Sequence, residues 1–307
     1  MTSEASPASR AAAEPTLLAY QALTGGIFTI QPSGLGNREV IPGAYGAVWS
    51  PDGRRLLYTG QDGALWVSRP DGSGGRSLVR PGNRCSGTHD PAHTAGDPAW
   101  SRWGRLIAFV ATSDDEEERE VDAICTVSSD GSRVRELRAG REPEWLPGGK
   151  RIAFTLGPRS DADFRSNRIA SMRRDGRGFH LLVGDAKGYR QDLRVSPDGR
   201  RMLFREQLAQ PGYAPAGLRV MNLRTGRIRA ISAGTTGNVV AATWTPGGRI
   251  AFMPAPLPLG GRAAPSSIYA VRHTGKSRRR LFTLPFEEQR GLWADTLSWQ
   301  PSPQKSR

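Results

Sequence analysis

WSPDG, at Trp49 to Gly53, is the stretch whose reading decides the fold, because the chain keeps returning to it. It recurs as WSRWG (Trp100 to Gly104), WLPGG (Trp145 to Gly149), VSPDG (Val195 to Gly199), WTPGG (Trp244 to Gly248) and, cut short, WQP (Trp299 to Pro301). The anchors stand 51, 45, 50, 49 and 55 residues apart. A period of that size marks supersecondary units that bury their apolar faces on one another. Within the phrase, Pro pre-sets φ, Asp bonds its own backbone and Gly accepts positive φ at the exit. The phrase is therefore a hairpin turn, and Asp52 and Asp198 read as turn residues rather than catalytic groups. The Trp ahead of it alternates with polar neighbours, as one face of a buried strand should, and reads as a packing anchor.

Working outward, each turn is followed by an apolar run: RLLY (Arg55 to Tyr58), RLIAF (Arg105 to Phe109), RIAF (Arg151 to Phe154), RMLF (Arg201 to Phe204) and RIAF (Arg249 to Phe252). These are too short for helices. A second run ending in a polar turn follows, as in ALWVSRPDG and LRVMNLRTG, and then a third, such as Ser77 to Val79. Each unit thus holds four strands, A to D.

The chain ends complete the count. Leu17 to Gly34 aligns with Leu56 to Gly72, and Arg38 to Gly43 resembles Arg76 to Gly82, so the N-terminus carries strands B, C and D without an A. Leu297 to Pro301 is an A with nothing after it. The sequence therefore predicts an all-β, six-bladed β-propeller of four-stranded antiparallel blades over 17–301, its last blade closed by both chain ends, which removes open sheet edges. Residues 1–16, polar and rich in Ala, Ser and Pro, are expected to be a disordered leader with no signal-peptide h-region. Residues 302–307 are read as a tail.

The formal net charge is +14, from 43 Lys+Arg against 29 Asp+Glu. All but Lys150, Lys187, Lys276 and Lys305 of the basic residues are arginine. Many follow the A-to-B and C-to-D turns, which a propeller places on one face. That face is expected to be positive, either as solvated turns or as an attraction for an anionic surface or polymer. Cys85 and Cys125 are too few for a disulfide scaffold or a zinc site; one disulfide and two separate thiols both stay open.

Function is sought on the opposite face, where the B-to-C and D-to-A loops vary most in length. The connection Pro81 to Pro98 holds His89, Asp90, His93 and Asp97. The His-x-x-x-His spacing suits metal on a helix, but prolines and glycines argue against one, so polar contacts are read here and no metal is assigned. The acidic run Thr112 to Asp122 lacks a calcium-loop register. The loops GYRQD (Gly188 to Asp192) and FEEQRGLWAD (Phe286 to Asp295) offer Tyr189, Arg190, Arg290 and Trp293, residue types that dominate protein interfaces. No Gly-x-Ser-x-Gly elbow and no phosphate-binding glycine loop occur.

The repeat resembles the Trp-x-Pro-Asp-Gly propeller repeat of the TolB family from about Leu17 to Pro301, without that family's N-terminal α/β domain. The resemblance implies a non-enzymatic docking module of the cell envelope, periplasmic or secreted, because the family's propeller contacts a peptidoglycan-associated lipoprotein. Its expected partner is a protein or envelope polymer at the loop face; no cofactor, membrane span or nucleic acid is expected, and a monomer is. The same repeat also accompanies serine peptidases and polysaccharide lyases. The alternative reading is therefore an enzyme acting on an anionic polysaccharide, with His89 and His93 as metal ligands.

Overall fold

The computed structural model describes residues 16–22, 25–82, 85, 92–114, 120–157, 168–184, 188–208, 216–232, 238–254, 267–284 and 296–301. They form six four-stranded antiparallel sheets, each running A-B-C-D from the inside outward. Strand A is Tyr45–Trp49 in blade 1, Thr94–Trp100 in blade 2, Arg141–Trp145 in blade 3, Gly188–Val195 in blade 4, Val239–Trp244 in blade 5 and Leu297–Trp299 in blade 6. Each A strand touches the next around the ring, including blade 6 against blade 1, so the six together wall a central channel.

Burial follows from that layering. Strand B of blade 1, Leu56–Thr59, is buried at all four positions, because a neighbouring blade covers each face. Strand D of blade 2, Arg135–Ala139, is exposed at four of five positions and can be rich in charge. The core consists of clusters between adjacent blades: Leu57 and Leu65 of blade 1 pack with Ile107 and Phe109 of blade 2, and Leu203 and Leu218 of blade 4 with Ile250 and Phe252 of blade 5.

The ring closes as the sequence predicts. Leu18, Ala19 and Tyr20 pair antiparallel with Trp299, Ser298 and Leu297. Gln300 donates its N–H to the Leu17 carbonyl at 2.8 Å, and its side-chain amide reaches the Gly53 carbonyl of blade 1 at 2.7 Å. Residues 1–15 and 302–307 lie outside the described residues.

The turn phrase is built as its chemistry demands. Asp52 accepts from the Ser50 hydroxyl at 2.5 Å and from the Arg54 N–H at 3.1 Å, and Asp198 repeats the pattern with Ser196 and Arg200. Partial burial works against ionisation of Asp52, but the Ser50 hydroxyl, the Arg54 N–H and the Arg55 charge hold it below its ordinary value. The anchor tryptophans also rivet blades together: indole N–H groups of Trp49, Trp145 and Trp244 donate to carbonyls of Ser298, Ala99 and Arg194 in the preceding blade, at 3.1, 3.1 and 2.9 Å. Blade 4 has Val195 instead, and there Glu144 of blade 3 accepts the Val195 N–H at 2.7 Å.

Cys85 and Cys125 form a disulfide, with Cα atoms 6.2 Å apart, which settles the alternative left open by the sequence. Both are fully buried in the cluster between blades 1 and 2, so the bond fastens the connection leading into blade 2 onto that blade's strand C, Glu120–Ser128.

Candidate functional site: the central channel

Three residues before each anchor, the A strands of blades 1 to 4 carry Gly46, Asp97, Glu142 and Asp192. All four have positive φ: 63°, 46°, 52° and 59°. Each sits at a register shift in its A-to-B pairing, a β-bulge that turns the backbone inward. Only glycine adopts this conformation without a Cβ penalty, yet three successive blades place a carboxylate there. Blades 5 and 6 have Ala241 and Thr296 at the same place.

The three carboxylates form one electrostatic group. Burial pushes Glu142 up to about 8, and the negative charges of Asp192 and Asp97 push the same way, against an N–H bond from Asp192 and the charge of Arg194. Burial likewise raises Asp97, with Asp192 and Asp122 adding to the effect and Arg194 and Arg141 opposing it. Asp97 is exposed by area while protein surrounds it, the situation of a side chain facing a channel. No described residue hydrogen-bonds or ion-pairs with its carboxylate. Asp192 is tied to Arg205, which also donates to the Val239 carbonyl of blade 5 at 2.9 Å.

At the turn end lies a cavity of about 420 Å³, lined by Glu144, Arg194 and Ser298 together with the anchor tryptophans. Burial raises Glu144 to about 7, while Arg194 and the Val195 N–H hold it down.

The residues singled out in the sequence fall in different places. Asp97 belongs to the channel group; it lies within strand A of blade 2 rather than in the preceding loop. His93 is exposed at the loop end, 3.7 Å from Asp114 and 3.2 Å from the Thr94 hydroxyl. Tyr189 is half-buried with the Arg141 guanidinium 5.9 Å over its ring. Arg190 is only 1% exposed and pairs with Glu206 at 3.0 Å, which also holds Arg219 at 2.8 Å. It belongs to the ladder, because strand A of blade 4 starts at Gly188 and takes up the stretch read as a loop. His89, Asp90, Arg290 and Trp293 lie outside the described residues. Among the described residues no three His, Cys, Asp or Glu side chains stand together to hold a metal ion, and no helix is long and apolar enough to cross a membrane. The sequence reading missed Glu142 and Asp192; counting back three residues from each anchor would have aligned them with Asp97.

No family model matches the sequence, and no curated protein matches it. Solved structures do. TolB from Acinetobacter baumannii superposes with a TM-score of 0.66 at 15% identity, over 93% of this chain and 66% of that one; this chain thus spans just under two thirds of that protein. A nidogen/laminin complex gives 0.67 at 13% identity, over 94% and 99% of the two chains. An oligogalacturonate lyase in complex with manganese gives 0.56 at 12%, over 87% and 74%. At these identities the likeness is one of fold. With six four-stranded blades, a ring closed by both chain ends and the Trp-x-Pro-Asp-Gly turns in place, the chain has a TolB-like β-propeller fold.

Proposed function

We propose that this chain is a non-enzymatic binding module that works outside the cytoplasm and takes a protein partner at the loop end of its channel. One observation carries the reading: Asp97, Glu142 and Asp192 occupy left-handed positions where blade 1 uses glycine. Such backbone strain costs on the order of 1–3 kcal/mol per residue and is kept where the surroundings use it. An arc of carboxyl groups inside a rigid ring suits a lysine or arginine side chain of a partner, whose charge would favour their ionised form and which would meet Asp97 unpaired. His93 and Tyr189 flank the approach from the loop end. The disulfide supports an oxidising compartment, and the TolB-like fold supports an envelope role.

Affinity capture from the native source tests this. Asp97→Asn with Tyr189→Ala is expected to lose the partner, whereas neutralising Arg54, Arg55, Arg200 and Arg201 on the turn face is expected to change only the salt dependence of capture. If the turn-face set abolishes capture and the channel set does not, the faces are reversed. The likeness to a lyase supports a second reading, an enzyme acting on an anionic polysaccharide. A cleavage activity that chelation removes would put that reading first.

A further inference from the structure

The turn face carries a groove of about 1170 Å³ that crosses the seam where the ring closes, from blade 6 over blade 1 to blade 2. Its charge is lopsided. Arg38, Arg54, Arg55, Arg69 and Arg102 line it, and only two carboxylates, Asp52 and Asp71, stand among them. Both are already engaged in their own turns: Asp52 with Ser50 and the Arg54 N–H, Asp71 with the Ser73 N–H at 3.0 Å and hydroxyl at 2.7 Å. Arg55 lies 5.0 Å over the Trp100 ring and Arg69 reaches Ser73 weakly at 3.4 Å. The guanidinium groups of Arg38, Arg54 and Arg102 have no hydrogen-bond or ion-pair partner among the described residues, and all three side chains are exposed.

Beside these cations stands a flat apolar surface. Trp103 is 66% exposed, and the Cζ3 side of its six-membered ring approaches Gly149 of blade 3, where a Cβ would come within 2.8 Å of it. The ring is thus held close to Gly149, where any larger residue would crowd it, and the rest of the indole is presented to solvent at the groove's edge. The remaining wall is mostly turn backbone and proline, with few apolar side chains to form the deep pocket that anchors a protein hot spot. Such a wall fits a hydrophilic ligand that repeats its charge along its length and has ring faces able to lie on an indole.

We propose that this groove binds an acidic polysaccharide, with the arginines taking its carboxylates, bidentate where the fork geometry allows, and Trp103 stacking on a sugar ring. The site is separate from the channel and does not depend on what binds there. The test is titration of the purified protein with alginate oligosaccharides, neutral dextran, poly-glutamate and a single-stranded oligonucleotide. Alginate is expected to bind, dextran not to bind, and affinity to fall with salt. Arg54→Gln with Arg102→Gln, and Trp103→Ala alone, are each expected to weaken alginate binding about tenfold or more, a loss of about 1.4 kcal/mol or more. Asp97→Asn, and Arg227→Gln with Arg279→Gln elsewhere on the turn face, are expected to leave it unchanged. The arginine and tryptophan positions are on the surface, and unaltered thermal unfolding of those variants checks that the ring is intact. No alginate binding, or equal binding of poly-glutamate and the oligonucleotide with no loss in Trp103→Ala, would overturn the proposal.

Discussion

Trp100 differs from the other anchors by one hydrogen bond. Its indole nitrogen is the buried side-chain polar atom that lacks a partner among the described residues, while that of Trp145 donates to the Ala99 carbonyl. Replacing either by Phe removes the same volume and leaves an aromatic ring beneath Arg55 at position 100, so the hydrogen bond is the main difference between the two. Trp145→Phe is expected to cost about 1 kcal/mol more than Trp100→Phe in urea unfolding, because it strands a buried carbonyl where the other removes an unpaired donor. A second residue-scale expectation concerns Asp97. Blade 1 shows that glycine is at home in the same bulge, so Asp97→Gly relieves left-handed strain and removes a like charge, against the unfolded-state entropy that glycine adds. The variant is expected to be more stable by about 1 kcal/mol while losing partner capture. Lower stability in Asp97→Gly would show that the bulge is not strained.

At the scale of a strand, Arg141–Trp145 of blade 3 carries two of the groups that set the response to pH. Glu142 and Glu144 are raised from 4.5 to about 8 and about 7, so the folded chain holds protons that the unfolded chain releases. Their contribution is fully present below about 4.5 and is lost as pH rises through the folded values. His273 is held below 6.5, by burial first and then by Arg201 and Arg229, and gives the opposite slope on the acid side. The clean window is therefore above about pH 6.5: the melting temperature of the wild type is expected to fall toward pH 8, and that of Glu142→Gln with Glu144→Gln to stay flatter. Both substitutions keep the oxygen that accepts the Asp192 or Val195 N–H. The same strand shows what the sequence made legible. Trp145 and the turn after it were plain, because packing and turn chemistry need particular residue types at fixed spacing. The bulge three residues earlier was not, because Glu at positive φ violates propensity and leaves no local pattern. Arg190 misled for a related reason: in sequence it stands beside turn-like residues, and only Glu206, sixteen positions on and across the ladder, shows that it is buried.

For the whole ring, two fastenings act on different parts. The disulfide closes a 40-residue separation, and Cys85→Ser with Cys125→Ser is expected to cost about 2–4 kcal/mol in chemical denaturation. Closure of blade 6 is the other. Removing the chain from Thr296 onward leaves the B strand at Leu18–Gln21 as a bare edge and uncovers Leu18 and Tyr20, so a lower melting temperature and concentration-dependent aggregation are expected. An unchanged melting temperature would mean that the A strand of blade 6 contributes nothing to the ring.

The closing pair also fixes how the ring would respond to pulling. Leu18 faces Trp299 while Tyr20 faces Leu297, so the two ends of the ring leave the ladder side by side, at the turn face. Tension applied through residues 17 and 301 would therefore peel the pair open one bond after another, as a zipper, instead of loading all of its bonds together in shear. Blade 6 would yield first and at low force, and five blades would remain joined behind it. A tether attached at both ends would make this propeller a clasp that opens at its own seam.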